Sequence, residues 1–315
     1  MLSIVLASTL SMAQKRPEGF REWLENFKKT AIEEGISPKT VDSAFSDVEF
    51  LPRVVELDRN QPEDRFNLRE YLARISPKYK SKMGRRLLSE NRALLEDIYQ
   101  RYGVQPQFIV ALWGVETNFG KLKGGFSVIE ALATLAYDGR RESLFSRELL
   151  YALRILDKGH ISTDRLRGSW AGAMGQIQFM PSTFYNFAVD YNGDNRIDIW
   201  NDLGDAFASA GNYLARSGWN KGQDWGHEVK LPKKFDRRLI GLETRKTLQE
   251  WKALGVRPSG GPSLATEIRL AASIIRPDGR KGRAFLVYDN FRIILKWNRS
   301  LYFGVAVGLL AHGIL

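Results

Sequence analysis

The chain has 315 residues, 43% hydrophobic and 26% charged, with 47 Lys and Arg against 36 Asp and Glu, a formal net charge of +11. At roughly 150 residues per domain this suggests about two domains and a sizeable core, which excludes disordered, collagenous and low-complexity classes. There is no cysteine, so disulfide scaffolds, thiol nucleophiles, thiolate zinc sites and lipid attachment through an N-terminal Cys are excluded as well. Residues 1–13, MLSIVLASTLSMA, carry no charge. An apolar run ending in Ser11-Met12-Ala13 reads as a secretory signal cleaved after Ala13. A basic leader segment is missing, which leaves a buried strand or helix as the competing reading. The run is too short to span a bilayer, and no later stretch reaches about 18 apolar residues.

Residues 14–102 read as mostly helical. Phe20, Trp23, Leu24 and Phe27 recur at helical spacing, as do Leu87, Leu88, Leu94, Leu95 and Ile98, while Pro38, Pro52, Pro62 and Pro77 divide the region into short helices. Pro106 suits a first helical position and Gly120 a stop, which predicts a buried helix over 106–118. Further helices are predicted at 127–137, 141–157 and 203–217. From 228 to 290, Pro232, Pro258, Gly260, Gly261, Pro262 and Pro277 alternate with short β-rich runs such as 284–288, a pattern that predicts a small α/β insertion. Residues 291–315 return to apolar and aromatic patterning, as a C-terminal helix. No internal repeat is present.

Three segments hold residues suited to chemistry. Glu116 follows Phe108-Ile-Val-Ala-Leu-Trp113-Gly-Val115, eight residues without a charge. A carboxyl at the end of an apolar helix is poorly solvated, its pKa rises, and a protonated acid near neutral pH is what a leaving-group oxygen requires. The competing reading is a cap or salt bridge. Gly114 to Lys121 is no phosphate loop, because five residues separate the glycines and Leu122 stands where Ser or Thr must be. The second segment is Gly168-Ser-Trp-Ala-Gly172-Ala-Met-Gly175-Gln-Ile-Gln-Phe-Met-Pro181. Its glycines permit close approach of some other group. Ser169, Gln176 and Gln178 beside Trp170 and Phe179 suit a sugar, unless the loop simply packs on a helix.

The third segment runs from Asp190 through Asn192, Asp194, Arg196 and Asp198. Oxygen side chains at positions 1, 3, 5 and 9 and a backbone carbonyl at 7 match a calcium loop. Its glycine is at position 4, and position 12 is Asn201. Asp202 or Asp205 is then expected to complete the ligands Asp190, Asn192, Asp194 and the Arg196 carbonyl; the alternative is an Asp/Asn-rich turn. The +11 charge points to a polyanion such as nucleic acid, an anionic membrane surface or a wall polymer, or to a soluble protein with evenly spread charge. No nucleic-acid module is recognisable. His160, His227 and His312 stand far apart, and no zinc-protease helix is present.

Together these segments resemble the membrane-bound lytic murein transglycosylase B family of bacterial wall enzymes. The resemblance is carried by Val115-Glu116-Thr-Asn-Phe-Gly120, by the 168–182 segment, by residues 190–200 with Asn212-Tyr213-Leu214, and by Trp297-Asn298-Arg-Ser300. It implies an α+β, mainly α fold: a lysozyme-like core over 103–227 holding the EF-hand-like loop 190–202, flanked by the helical N-terminal part and the small β-containing insertion. It implies cleavage of the β-1,4 bond between N-acetylmuramic acid and N-acetylglucosamine with a 1,6-anhydro product. Glu116 matches the single acid/base, which agrees with the lack of an obvious second carboxylate; Glu130, Asp138 and Glu142 sit on later segments. Ordinary glycosidases need two.

By the same resemblance Ser169, Gln178 and Phe179 line sugar subsites, Tyr213 packs near the reacting sugar, Asn298 helps hold it, and Tyr71 matches a further subsite tyrosine. Trp297 stands where the family has Tyr, so a hydroxyl is lost and stacking is the role left. Calcium is expected to be structural, with no cofactor for the chemistry. Peptidoglycan glycan strands are the expected partner, with wall-synthesis or wall-remodelling proteins as further candidates and no nucleic acid. A periplasmic, exported, soluble form without lipid anchor or separate C-terminal wall-binding module is expected. A muramidase-type hydrolase of the same bond and a non-catalytic wall-binding protein are the alternatives.

Overall fold

Capping side chains and prolines set where many of the helices begin. The computed structural model describes residues 17–60, 66–260 and 270–315, all but the side chain of Lys281. The leader expected at 1–13 lies outside the described residues. The N-terminal part holds α1 (Phe20–Glu33), α2 (Pro38–Phe45), α3 (Pro52–Arg59), α4 (Leu68–Ile75), α5 (Lys78–Glu90) and α6 (Arg92–Tyr102). Pro38 and Pro52 stand in first turns, where a missing N–H leaves nothing unpaired. Asn67 and Glu70 close a capping box on α4.

Next come α7 (Pro106–Thr117), β1 (Phe126–Ser127), α8 (Val128–Asp138), α9 (Glu142–Asp157), β2 (Arg167–Gly168), α10 (Pro181–Phe187) and α11 (Leu203–Arg216). The four helices predicted here begin and end within a residue of α7, α8, α9 and α11. Helix α7 is buried along nearly its whole length, from Phe108 to Val115 and at Thr117. It packs against α5, α6, α11 and a C-terminal helix, as a helix apolar on all sides must. It ends at Thr117, ahead of Gly120. Asn118 takes the left-handed cap at φ 51° and its N–H bonds to the Trp113 carbonyl.

The chain continues through β3 (Gly226–Lys230), β4 (Gly241–Thr247), α12 (Leu248–Ala253), β5 (Arg257–Pro258), β6 (Ala271–Ile275), β7 (Ala284–Val287), α13 (Asp289–Trp297) and α14 (Leu301–Ile314). Strands β3 to β7 form one antiparallel sheet in the order β4-β6-β7-β3-β5. Both faces of its central strands are covered. Phe285 and Val287 join the main core beside Trp225 and Phe291, whereas Ala284, Leu286 and Tyr288 join a second core with Trp251 of α12. A strand of period two buried on both faces reads as a continuous apolar run, as 284–288 does.

The C-terminal stretch differs from expectation. A single helix over 291–315 is replaced by α13 and α14, parted at Asn298-Arg299-Ser300. The Asn298 side-chain oxygen accepts the Ser300 amide at 2.9 Å, and Ser300 in turn accepts the Phe303 amide as the cap of α14. These side chains offer the backbone an alternative to helical bonds. No helix among the described residues is long and apolar enough to cross a membrane.

Candidate active site

Glu116 lies in the last turn of α7, half-buried, between the buried apolar run that ends at Val115 and the buried Thr117. Burial pushes its carboxyl up to about 8, and one hydrogen bond acts in the opposite sense. That bond comes from Trp297 at the end of α13, whose indole Nε1–H donates to Glu116 Oε1 at 2.8 Å. Burial disfavours the anion more than one donor favours it, so the acid form persists at neutral pH. No carboxylate among the described residues contributes to its shift. Glu130 accepts the Glu49 amide at 3.2 Å and Asp138 pairs with Arg59 at 2.7 Å, so both serve other parts of the fold.

Trp297 is where the resemblance implies the loss of a hydroxyl. Its indole N–H provides a donor in that place, and this is the role that sequence reasoning missed. An indole N–H donates and cannot accept. With Oε1 accepting, the acid proton is left to Oε2. The signal available was an aromatic with a polar edge near the end of a helix, but its target is 181 residues away in the chain.

Trp297 is held by other rings. Tyr213 packs edge-on at 5.0 Å and Phe179 tilts against it at 5.2 Å. The Tyr213 hydroxyl donates to the Lys296 carbonyl at 2.8 Å, so Tyr213 fixes the end of α13 as well as the indole. Phe179, expected to line a sugar subsite, is 1% exposed. It is therefore a support beneath Tyr213 and Trp297, because the ring is covered on both sides by them and by the core.

The 168–182 segment is tied to α7 from below. Gln176, read among the sugar-binding groups, spends its amide inside the protein: Oε1 accepts from Trp113 Nε1 at 2.9 Å and Nε2 donates to the Trp200 carbonyl at 3.1 Å. Thr117 donates to the Gln176 carbonyl at 2.8 Å. The close approach permitted by the glycines is the protein's own: a Cβ at Gly168 would meet the Ala173 carbonyl, and one at Gly175, which has φ 70°, the Ile199 carbonyl. Ser169 closes the turn by accepting the Ala173 amide at 3.0 Å. Gln178 sits at φ 50°, left-handed for a residue with a side chain, and its Nε2 donates to the Lys123 and Gly175 carbonyls. Both remain half-buried.

Asn298 follows Trp297 and lines a cleft with Phe66, Pro277, Ser300 and Tyr302. Tyr71 on α4 packs its ring 5.6 Å from that of Tyr302, which lines the cleft. Structure thus brings Glu116, Trp297, Tyr213 and Phe179 into one connected set, with Asn298 next in the chain facing its own cleft and Ser169 and Gln178 on the loop braced against α7.

The expected calcium loop is closed by its own bonds. Asp190 accepts the amides of Gly193 and Asn195 at 2.7 and 2.8 Å, Asn192 accepts that of Asp194, and Asp194 that of Arg196. The donor chemistry at Asp190, Asn192, Asp194 and the Arg196 carbonyl suits calcium. Asp205, the further ligand expected, sits beneath the loop, where Asp190 and Asp202 act on its carboxyl. It is 1% exposed and accepts the amides of Tyr191 and Asp198 at 2.8 and 2.7 Å, so it clamps the two ends of the loop. No three acidic or imidazole side chains gather as a metal cage among the described residues.

A mainly helical chain with a small antiparallel sheet and one desolvated glutamate at the end of an apolar helix has the lysozyme-like fold of lytic transglycosylases. The family described as "Transglycosylase SLT domain" matches residues 19–312, and the chain belongs to it. It is 34% identical over 227 residues to the membrane-bound lytic murein transglycosylase B of Escherichia coli, covering 70% of this chain and 60% of that protein. The chain thus spans less than two thirds of that curated relative's length. It is 44% identical to SltB3 from Pseudomonas aeruginosa, solved in complex with NAG-NAM-pentapeptide, with a TM-score of 0.89 over 93% of this chain and 79% of that one. It is 28% identical to the E. coli lytic transglycosylase Slt35, solved in complex with calcium, with a TM-score of 0.79 over 92% of each chain.

Proposed function

We propose that this protein is a peptidoglycan lytic transglycosylase that cleaves the MurNAc-GlcNAc β-1,4 bond with Glu116 as its single acid/base. The observation that carries this reading is a carboxyl raised to about 8, held by a donor that cannot accept, with no second carboxylate among the described residues acting on it. Glu116 Oε2 gives its proton to the glycosidic oxygen as the C1–O bond breaks. The muramyl acetamido oxygen stabilises C1. The Glu116 carboxylate then takes the proton of the muramyl 6-hydroxyl as O6 bonds to C1 and the acetamido oxygen leaves. The 1,6-anhydro ring forms, water is not consumed, and Glu116 ends as it began. Desolvation serves both halves, since an acid with pKa near the working pH gives and regains a proton at comparable cost.

Ser169, Gln178 and Asn298 supply neutral hydrogen bonds to the sugars, with Tyr213 and Phe179 acting through the Trp297 ring and Tyr71 at a further subsite. A calcium ion would be held by Asp190, Asn192, Asp194, the Arg196 carbonyl and Asp205. It would neutralise loop charge and supply no chemistry. A wall substrate, together with the apolar segment 1–13 read as a secretory leader, supports a periplasmic location. We set the domain boundaries near 102, 227 and 290, with the last two moved ahead of Gly226 and Asp289 so that β3 and α13 each stay whole.

The test is mass spectrometry of purified sacculi digested by residues 14–315 beside Glu116→Gln. Anhydro-muropeptides from the parent alone are expected. Reducing ends would make the protein a hydrolase, and binding without release by either form would make it a wall-binding protein.

A further inference from the structure

We propose that the small sheet carries a second, non-catalytic cleft for a chain of carboxylates, and that its occupant is the peptide stems of the wall polymer; this rests on the wall reading above. A cavity of about 570 Å³ is lined by Lys230, Lys233, Arg237, Arg276, Arg280 and Arg283, over a floor that includes Leu231, Phe235 and Ile240. Among the described residues Glu228 is the one carboxylate that lines it, and Arg283 grips that with two nitrogens, at 3.0 and 2.5 Å. The nearby acids are engaged elsewhere: Asp236 pairs with Arg238, and Asp278 accepts from the Tyr302 hydroxyl and the Leu68 amide. Arg276 bonds a neutral carbonyl, that of Gly282, so its charge is not cancelled. Among the described residues Lys230, Lys233, Arg237, Arg276 and Arg280 make no ion pair.

This concentration is local. Residues 228–290 hold fourteen Lys and Arg against seven Asp and Glu, which is +7 of the chain's +11. Holding uncompensated cations along one concavity costs self-repulsion, which an anionic ligand relieves. A neutral glycan offers no such relief, whereas a peptide with several carboxylates does, each taking charge-assisted bonds.

Position favours the wall's own carboxylates. The cleft lined by Asn298, Ser300 and Tyr302 includes Pro277, and the basic cavity includes Arg276. The two therefore adjoin across one peptide bond, and Asn298 follows the Trp297 that holds Glu116. A strand seated at Glu116 can lay its peptides toward the basic cavity.

The test measures binding alone, using the full chain with Glu116→Gln so that nothing is cut. Co-sedimentation with intact sacculi and with sacculi stripped of stem peptides is measured at about 0.05 and 0.5 M salt. Lys230→Glu/Arg237→Glu/Arg280→Glu, all exposed positions, is compared with Arg21→Glu/Lys29→Glu/Arg92→Glu, which changes net charge equally elsewhere. Binding to intact sacculi about tenfold weaker is expected for the cleft variant only, with a flatter salt dependence and unchanged binding to stripped sacculi. Equal binding by the cleft variant and the parent, equal losses in both triple variants, or an equal loss on stripped sacculi would overturn the proposal. So would displacement by polyphosphate and not by polyglutamate. Failure of the parent to bind either kind of sacculus would refute the wall reading too, whereas the nature of the cleavage products bears on the chemistry alone.

Discussion

Replacing Trp297 by Phe removes one N–H and keeps a ring against Tyr213 and Phe179. The lost bond is the 2.8 Å donation to Glu116 Oε1, the one contact that lowers the Glu116 pKa against burial. A hydrogen bond to a charged acceptor contributes about 1.5–3 kcal/mol and one to a neutral acceptor about 0.5–1.5. The anion therefore loses about 1 kcal/mol more than the acid, which is close to one pH unit. The alkaline limb of kcat/KM, governed by loss of the acid form, moves from near 8 toward about 9. Activity at neutral pH falls as well, since the proton is no longer confined to Oε2. The assay is initial rate of muropeptide release across pH 5 to 10, with melting temperature as the check on folding. A limb that stays in place or moves down would refute the assignment of Trp297 as the donor that sets this acid.

Glu116→Gln is expected to cut turnover by about 10²–10⁴. It is also expected to stabilise the protein increasingly as pH rises. A carboxyl with its folded pKa raised from 4.5 to about 8 supports the fold below its unfolded pKa, and that support is lost as pH climbs through 8. Melting curves at pH 5 and pH 8 with equal differences between variant and parent would contradict this. Asp205→Ala removes two amide acceptances at a buried position and is expected to lower stability by about 2–4 kcal/mol, read in chelator by denaturant unfolding; an unchanged midpoint would remove Asp205 as the clamp. Calcium is expected to stabilise the fold through the loop by about 2.7 kcal/mol at one hundred times its Kd, which raises the melting temperature, and to leave turnover unchanged. Equal melting temperatures with ion and with chelator would take calcium out of the account.

Much of the helical frame was legible because its causes are local. Pro106 opening α7, an eight-residue run without charge and a stop just past Glu116 lie within one short stretch, so the acid's unusual environment could be read before any contact was known. The parting of α13 from α14 is also local in cause, through Asn298 and Ser300. It was hidden because apolar residues continue on both sides of the break.

Other features depend on atoms far apart in sequence. Three glycines announced a close approach, but only packing decided that Ala173, Leu132 and Ile199 make it. Neutral amides beside aromatics suggested a sugar site, yet Gln176 was drawn inward by Trp113 and Trp200, as a buried amide without a partner would be costly. The cations of the basic cavity fall in two short stretches, 230–237 and 276–283, and the pairing of β3 with β7 brings the two together. Residue order by itself determined which segment would end in a desolvated carboxyl, since periodicity, capping and composition act over a few residues. The tertiary structure decided what that carboxyl meets: a hydrogen bond such as the one from Trp297 needs two groups to converge within about 3 Å, and only the packed core brings 116 and 297 together.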